Sequence, residues 1–214
     1  WVQYQPLGVV GIITPWNYPL LLAISPLICA LAAGNRAMIK MSSFTPKTGA
    51  IVKKALSEAF NEDQVAVITG GGIVSDAFSR LPFNQITFTG STNVGRTVMA
   101  AAAENLTPVL LELGGKSPAI IHPSVSMKDA AEKLAFGKGW NAGQTCVAPD
   151  YVFVPRGKVA ELAAAMHVVV AKMYPKMLNN PDYTSIVNNK QYQRVKSYLD
   201  DARDQGAQII EINP

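Results

Sequence analysis

The chain has 214 residues, of which 49% are hydrophobic and 16% are charged. This composition excludes an intrinsically disordered protein and allows a sizeable core in one large domain or in two smaller units. The formal net charge of +4 comes from 19 basic and 15 acidic residues scattered along the chain, without the basic runs that nucleic-acid binding favours. We therefore predict no nucleic-acid partner.

Apolar, β-branched segments alternate with helical patterns along the first half of the chain. Strands are predicted at residues 7–13, 36–40, 64–68, 85–89 and 109–113, and helices at residues 19–33, 47–60, 73–80 and 94–103. Strands that alternate with helices of this length are typical of a parallel sheet covered on both faces. The predicted fold class is therefore α/β, beginning with a doubly wound, Rossmann-like unit.

The most apolar segment of the chain spans residues 19–33. It is shorter than the roughly 20 residues that a membrane-spanning helix needs, and Pro26 lies inside it. We predict a buried helix here, with Cys29 packed in the core, and no membrane span.

The pattern changes near Gly114, Gly115 and Pro118. A helix at residues 127–140, a cysteine-containing loop, a strand at 151–154 and a helix at 159–173 are predicted next. A domain boundary is predicted within residues 114–122, which divides the chain into domains 1–118 and 119–214. A last amphipathic helix is predicted at residues 192–202, with one apolar face formed by Tyr192, Val195, Tyr198 and Leu199.

The two cysteines and two histidines do not form a metal-binding pattern. Neither Cys29 nor Cys146 has a second Cys or His at ligand spacing, and two cysteines in this length make no disulfide framework. His122 and His167 also lack a partner at such spacing, so we interpret both as structural. This usage predicts no metal and favours the reducing cytoplasm.

Cys146 is the first candidate for chemistry, because it follows the polar, glycine-containing stretch Asn-Ala-Gly-Gln-Thr at residues 141–145. A thiolate is the strongest single nucleophile that a protein offers near neutral pH. Most free cysteines are structural, so these residues alone leave both a catalytic and a packing role open.

Glu112 and Asn17 are candidates for acid–base and oxyanion chemistry. Glu112 lies in an otherwise apolar strand shortly before two glycines, where a buried carboxylate needs a partner, a hydrogen bond or a proton. It is either a tuned general base or an outward-facing residue at a strand end. The Asn17 amide has the donors for a developing oxyanion, although an Asx turn is the alternative.

Two further features are candidates for ligand binding, and each is a weak signal when taken alone. The segment Gly-Ser-Thr-Asn-Val-Gly at residues 90–95 lies between a predicted strand and a predicted helix, where backbone N–H groups face an anion. It lacks the G-x-G-x-x-G fingerprint. Lys40 ends a strand, so it reaches a ligand at the carboxyl edge of the sheet or is a surface lysine.

Taken together, these motifs resemble the aldehyde dehydrogenase superfamily over nearly the whole chain. The matching segments are Pro-Trp-Asn-Tyr-Pro at residues 15–19, Ala-Gly-Asn at 33–35, Ile-Lys at 39–40, Phe-Thr-Gly-Ser-Thr at 88–92 with Gly95, Leu-Glu-Leu-Gly-Gly-Lys-Ser-Pro at 111–118, and Asn-Ala-Gly-Gln-Thr-Cys at 141–146. Residues 106–118 and 148–151 resemble the class 3-like branch. Within it, residues 4–8 and 40–42 are similar to bacterial coniferyl aldehyde dehydrogenases.

The resemblance implies a role for each catalytic candidate. Cys146 attacks an aldehyde to give a thiohemiacetal, whose oxyanion is held by the Asn17 amide and the Cys146 backbone N–H. Hydride then passes to a nicotinamide cofactor. Glu112 activates the water that hydrolyses the resulting thioester to a carboxylic acid.

The resemblance also implies NAD as cofactor, with NADP as the alternative. A glutamate that the family commonly has three residues after the lysine, and that holds the ribose hydroxyls, is replaced by Ser43, so a 2′-phosphate is repelled less. The implied partners are an aldehyde substrate, either coniferyl aldehyde or another aromatic aldehyde, and a second copy in a cytoplasmic homodimer. The implied cofactor-binding residues are Ile13, Thr14, Pro15, Trp16, Lys40, Ser43, Phe88, Gly90, Ser91, Val94, Gly95 and Leu113.

The chain begins at Trp1 and ends just after the apolar segment 208–212, so we interpret it as an excerpt of a longer protein. Its second part is then the first portion of an α/β catalytic domain, and the excerpt alone is expected to have little or no dehydrogenase activity. Two alternatives are a nucleotide-binding module without turnover and an acyl-transferring relative. Glu112 argues against the second, since such relatives generally lack that glutamate.

Overall fold

The computed structural model describes residues 1–212, which divide between Gly114 and Gly115 into two compact units. This division falls at the start of the range 114–122 in which a boundary is predicted. It lies before the predicted limit at residue 118 because a strand that sequence analysis misses, Ser117–Ile120, pairs within the second unit.

The first unit is a five-stranded parallel sheet in the order β3-β2-β1-β4-β5. From β1 the chain winds outward through β2 and β3, then returns to place β4 on the other side of β1. The predicted doubly wound parallel sheet is therefore confirmed. Its elements are β1 (Val9–Ile13), α1 (Leu21–Ala32), β2 (Arg36–Lys40), α2 (Pro46–Ala59), β3 (Val65–Ile68), α3 (Gly72–Ser79), β4 (Gln85–Thr89), α4 (Thr92–Ala103) and β5 (Val109–Glu112).

Alternate strand residues build a core on each face of this sheet, because successive side chains of a strand point to opposite faces. Ile12 of β1 packs in a cluster with Leu27 of α1 and Val52 of α2. The next residue, Ile13, belongs to a second cluster that includes Val98 of α4. Strands buried on both faces explain why they appear in the sequence as continuous apolar segments.

The sequence of helix α1 is apolar on all sides, but only one side of the helix is buried against the sheet. Its residues Ile28 and Cys29 are exposed, since the helix covers one face of the sheet and its outer side points away. The predictions of a buried helix and of Cys29 in the core are therefore wrong. No helix within residues 1–212 is long and apolar enough to cross a membrane. The buried residues of α1 are Ala23, Leu27 and Ala30.

The Asn35 side chain has a structural role that accounts for its place in the Ala-Gly-Asn motif at residues 33–35. Its Oδ1 accepts hydrogen bonds from the backbone N–H groups of Leu7 at 2.7 Å and Gly8 at 3.0 Å, and its Nδ2 donates to Ala30 O at 3.1 Å. The side chain is buried and ties the start of β1 to the end of α1. Asn35 therefore stabilises the first β-α-β connection.

The second unit contains a two-stranded parallel sheet and three longer helices. The apolar face predicted for the last helix is exposed within this unit. Helices α5 and α6 pack through Ala131, Ala135, Val169 and Val170. The elements are β6 (Ser117–Ile120), α5 (Met127–Gly139), a 3-10 helix (Trp140–Gly143), β7 (Pro149–Phe153), α6 (Val159–Met173) and α7 (Asn189–Asp204).

Candidate active site

The carboxyl ends of the parallel strands bring several predicted site residues to one edge of the first unit. Ile13 of β1 pairs with Lys40 of β2 on one side and with Phe88 of β4 on the other. Thr89 of β4 pairs in turn with Glu112 of β5. Ligands of doubly wound sheets bind at this edge, beside the strand where the winding direction changes. The carboxyl edge is therefore the candidate ligand-binding edge.

Thr14 joins the loop after β1 to the end of β2. Its backbone N–H donates to Lys40 O at 3.0 Å, and its hydroxyl donates to the same oxygen at 3.3 Å. Thr14 is buried, whereas Pro15 and Trp16 are half-buried. The backbone of Thr14 is thus fixed beside the carboxyl end of β2.

Lys40 is a buried lysine, with 2% of its surface exposed, which rules out the surface-lysine alternative. Its Nζ donates to Met41 O at 2.8 Å, and no carboxylate within residues 1–212 forms a salt bridge with it. Because burial removes water from the ammonium group, the pKa of Lys40 is lowered from its ordinary value. An ammonium has three donors, so Lys40 retains capacity to bind a ligand.

Ser43 is exposed in the loop from β2 to α2, which lies at the same edge. The start of α2 carries another polar atom of interest. Thr45 Oγ1 is buried and has no hydrogen-bond partner among the described residues. A buried hydroxyl without a partner costs free energy, so this loop has an unmet capacity for a polar ligand or water.

The turn after β4 is shorter than predicted. Helix α4 begins at Thr92 instead of residue 94, so most of the predicted turn at residues 90–95 is helical. The reason is that Ser91 is an N-cap, whose Oγ accepts a hydrogen bond from Val94 N at 3.4 Å. The N-terminus of a helix of 12 residues, with the positive end of its dipole, therefore lies at the carboxyl edge directly after Gly90.

Gly95, in the first turn of α4, lies close to Leu113, the residue that follows β5. A Cβ at this position would stand 2.8 Å from the Leu113 side chain and 3.5 Å from the Phe88 ring. Leu113 and Phe88 both belong to the core of that face, with Phe88 buried. Packing of α4 onto the sheet thus accounts for Gly95, and the Phe88 side chain faces the core.

Asn17 is half-buried in the loop between β1 and α1. Its Oδ1 accepts a hydrogen bond from Tyr18 N at 3.1 Å. This contact uses the side-chain oxygen as an acceptor, as expected for a local turn.

Glu112 is exposed at the end of β5 within the first unit. Its backbone carbonyl accepts a hydrogen bond from Gly90 N at 3.0 Å. The argument from a buried carboxylate therefore does not apply to this unit, and the geometry matches the outward-facing alternative. The proposed catalytic role of Glu112 depends on the family resemblance.

Cys146 lies in the second unit, in the turn between the 3-10 helix and β7, and its side chain is exposed. Ala148 N donates to Thr145 O at 3.1 Å and closes this turn. An exposed thiol on a hydrogen-bonded turn is accessible to a substrate. A role for Cys146 in core packing is therefore not supported by the structure of this unit.

The backbone just before Cys146 is left-handed over three consecutive residues. Asn141, Ala142 and Gly143 have φ values of 50°, 53° and 73°. Glycine and asparagine tolerate this region, whereas an alanine held there costs about 1–3 kcal/mol. Such strain persists only where the surrounding contacts fix the backbone, so the loop before the thiol is tightly constrained.

Gly115 and Gly114 differ sharply in their surroundings. A Cβ at Gly115 would overlap the carbonyl oxygen of Cys146, whereas a Cβ at Gly114 would meet nothing within 4 Å. Ser117 Oγ donates to the same Cys146 oxygen at 3.5 Å. Of the two glycines, Gly115 alone is therefore required for a close backbone approach.

This difference predicts the effect of an alanine at each position. In the full-length protein, Gly115→Ala is expected to lower the free energy of unfolding by about 1–3 kcal/mol, because the new methyl displaces the Cys146 backbone. Gly114→Ala should change it by less than about 0.5 kcal/mol. Urea unfolding of both variants measures this, and equal stabilities would contradict the contact between Gly115 and Cys146.

Both histidines of the chain lie in the second unit. His122 Nδ1 lies 2.8 Å from Ser124 Oγ in a local contact, and His167 is exposed on α6. Among residues 1–212, no group of three or more Cys, His, Asp and Glu side chains is arranged to hold a metal ion.

Gln144 is a residue that sequence analysis does not single out. Its side chain contacts the backbone of residues 185 and 187, far along the chain. The available signal is its place in the Asn-Ala-Gly-Gln-Thr-Cys motif, which gives no indication of such a contact.

Comparison with known proteins agrees with these motifs. The model of the "Aldehyde dehydrogenase family" matches residues 1–211. The chain belongs to the aldehyde dehydrogenase family. The resemblance drawn from the motifs is thereby confirmed, and the match extends through both units.

Individual relatives support the narrower resemblance. A protein named "Probable coniferyl aldehyde dehydrogenase" from Pseudomonas aeruginosa is 61% identical over 211 residues, which are 99% of this chain and 44% of that protein. "Aldehyde dehydrogenase family 3 member A2" from Rattus norvegicus is 39% identical over 94% of this chain and 42% of its own length. The similarities to coniferyl aldehyde dehydrogenases and to the class 3 branch are confirmed.

A solved structure gives the same fold. The aldehyde dehydrogenase of Mycobacterium tuberculosis, complexed with NAD+, matches with a TM-score of 0.88 and 35% identity, over 96% of this chain and 44% of that one. The chain thus spans less than half the length of the relatives that it matches.

Proposed function

We propose that the full-length protein oxidises an aldehyde to its carboxylic acid with NAD, and that coniferyl aldehyde or another aromatic aldehyde is its substrate. The observation that carries the proposal is the exposed Cys146 thiol on a constrained loop in a chain of this family. The identity of 61% to a probable coniferyl aldehyde dehydrogenase supports the substrate class.

Cys146 is the proposed nucleophile. Its thiolate sulfur forms a bond to the aldehyde carbon, the carbonyl π bond breaks, and the carbonyl oxygen becomes an oxyanion. The Asn17 amide and the Cys146 backbone N–H are the proposed donors to that oxygen, since donors aimed at developing charge lower the barrier most. Loss of hydride from the adduct leaves a thioester on Cys146.

Glu112 is the proposed general base for the second half of the reaction. Its carboxylate takes a proton from water as the water oxygen attacks the thioester carbon, and the Cys146 thiolate leaves. The product is a carboxylic acid. A carboxylate at this position supports hydrolysis over transfer of the acyl group to another thiol.

The carboxyl edge of the first unit fits a dinucleotide. It presents a buried cation at Lys40, the N-terminus of α4 behind the Ser91 cap, and an unpartnered hydroxyl at Thr45 among the described residues. NAD bound there would accept the hydride. Lys40 would hold a ribose, and the backbone of residues 13–16 would line the site.

Ser43 leaves NADP as an alternative cofactor. It is exposed and uncharged where the family commonly has a glutamate, so nothing at this position repels a 2′-phosphate. NAD remains the first proposal, since solved relatives such as that of Mycobacterium tuberculosis are described with NAD+.

The two units are proposed to have different functions. We assign cofactor binding to the first unit, which contains Lys40, and the catalytic domain to the second unit, which contains Cys146. By family resemblance, the full-length protein is proposed to be a cytoplasmic homodimer.

The test is an assay of the full-length protein with coniferyl, benzyl and short aliphatic aldehydes, each with NAD and with NADP. Reduced cofactor is measured by absorbance and the acid by chromatography, without added thiol. We expect the greatest rate with an aromatic aldehyde and NAD. Cofactor binding without reduction for any pair would favour a nucleotide-binding module. Cofactor reduction that requires added coenzyme A and gives its acyl thioester instead of the acid would favour acyl transfer.

A further inference from the structure

The side chain of Gln144 connects the Cys146 loop to a distant segment of the second unit. Its Oε1 accepts a hydrogen bond from Val187 N at 2.9 Å, and its Nε2 donates to Ser185 O at 3.2 Å. Both partners are backbone atoms in the segment just before α7, more than 40 residues along the chain. One amide group therefore acts as donor and acceptor to the same segment.

The same amide also fixes the loop from within. Gln144 Nε2 donates to Asn141 O at 3.0 Å, and Gln144 N donates to that oxygen at the same distance. In return, Asn141 Nδ2 donates to Gln144 O at 3.4 Å. These reciprocal bonds span the left-handed residues, whose strain requires such support.

We infer that Gln144 is a positioning residue for the Cys146 nucleophile, an inference that rests on the proposed function. Gln144 precedes Cys146 by two residues, so anchoring its side chain sets where the following turn begins. The orientation of the Cys146 thiol and of its backbone N–H depends on that turn. Gln144 acts through the backbone and needs no contact with substrate.

The choice of an amide follows from the partners. A site that offers one N–H and two carbonyl oxygens needs a group with both an acceptor and donors, which glutamine supplies. A glutamate has the same shape but places a second oxygen against Ser185 O and Asn141 O. Gln144→Glu is therefore a shape-matched variant that removes the donors.

The experiment compares Gln144→Ala and Gln144→Glu in the full-length protein with Gln193→Ala. Gln193 is an exposed glutamine on α7 whose side chain donates to Asn189 Oδ1, so this control removes a local contact of the same chemical kind. We expect kcat to fall by about 10- to 100-fold in both Gln144 variants, since small misplacement of a reacting group has effects of this size. The KM for NAD should stay within about threefold.

A second measurement is independent of turnover. Peptide-resolved alkylation with iodoacetamide compares Cys146 with Cys29, an exposed thiol in the first unit that serves as an internal reference. The Cys146 rate and its pH dependence should change in the Gln144 variants by about threefold or more, with Cys29 unchanged. Variants equal to Gln193→Ala in both kcat and Cys146 alkylation would overturn the inference.

The unmodified protein gives a check that does not depend on whether a variant folds. Val187 N–H should be protected from hydrogen exchange because it donates to Gln144. Exchange at the rate of an open peptide would overturn the inference. If the unmodified protein oxidises no aldehyde, the proposed function fails, whereas alkylation and exchange still decide the role of Gln144.

Discussion

Replacing Cys146 with serine is expected to abolish cofactor reduction with every aldehyde. A serine hydroxyl stays protonated near neutral pH and, without an activating base, is a far weaker nucleophile than a thiolate. Loss of a nucleophile from a covalent mechanism lowers kcat by at least about 10³-fold. Absorbance of the reduced cofactor under saturating aldehyde and NAD measures the effect.

Cys29→Ser is the matched control, because both cysteines are free and exposed. Cys29 lies on the outer side of α1, so its replacement should leave kcat within about twofold. Intact-mass analysis after brief exposure to aldehyde and NAD should detect an acyl adduct on the unmodified protein and on Cys29→Ser. Turnover by Cys146→Ser near the control level would remove Cys146 from the mechanism.

Much of the first unit can be predicted from the sequence because its strands are buried on both faces. The predicted strands at residues 36–40 and 85–89 coincide with Arg36–Lys40 and Gln85–Thr89. A continuous apolar segment between turn residues is a strong signal of a parallel strand. Alternation with helices then limits the topology to a few arrangements, of which the doubly wound sheet is one.

The errors occur where a local pattern cannot show the tertiary environment. Strand β6 is missed because it contains Pro118 and pairs with β7, about thirty residues later along the chain. Cys29 is misplaced because α1 is apolar on its exposed side as well as on its buried side. Helix α4 begins two residues earlier than predicted because Ser91, a favoured N-cap residue, caps its N-terminus.

The candidate site shows the same limit. Motifs identify Cys146, Glu112 and Asn17 by residue type and order, and the family resemblance supplies their roles. The sequence cannot distinguish Gly115 from Gly114, since only one of them faces the Cys146 carbonyl. It also cannot show that Gln144 contacts a segment more than 40 residues away.

Asn17 provides the second large effect. Asn17→Ala in the full-length protein is expected to lower kcat by about 10²- to 10³-fold, because one donor to the oxyanion is lost. Asn17 Oδ1 also accepts a hydrogen bond from Tyr18 N, so the alanine variant removes a loop contact as well. A second variant is needed to separate the two effects.

Asn17→Asp makes that separation. The aspartate keeps an oxygen acceptor for Tyr18 N but has no amide donor, and its charge opposes a nearby oxyanion. If donation matters, the aspartate variant should lose at least as much kcat as the alanine variant. If the loop contact matters instead, the aspartate variant should retain most of the unmodified protein's kcat. The Asx-turn interpretation of Asn17 would then replace the catalytic one.

Asn105→Ala controls for loss of an asparagine elsewhere in the first unit. Asn105 is exposed after the C-terminus of α4, and its side chain donates to Arg80 O at 2.7 Å. Because α4 begins at the carboxyl edge, Asn105 lies toward the opposite end of the sheet and should affect stability more than kcat. A loss of less than about threefold in both Asn17 variants would exclude Asn17 from oxyanion stabilisation.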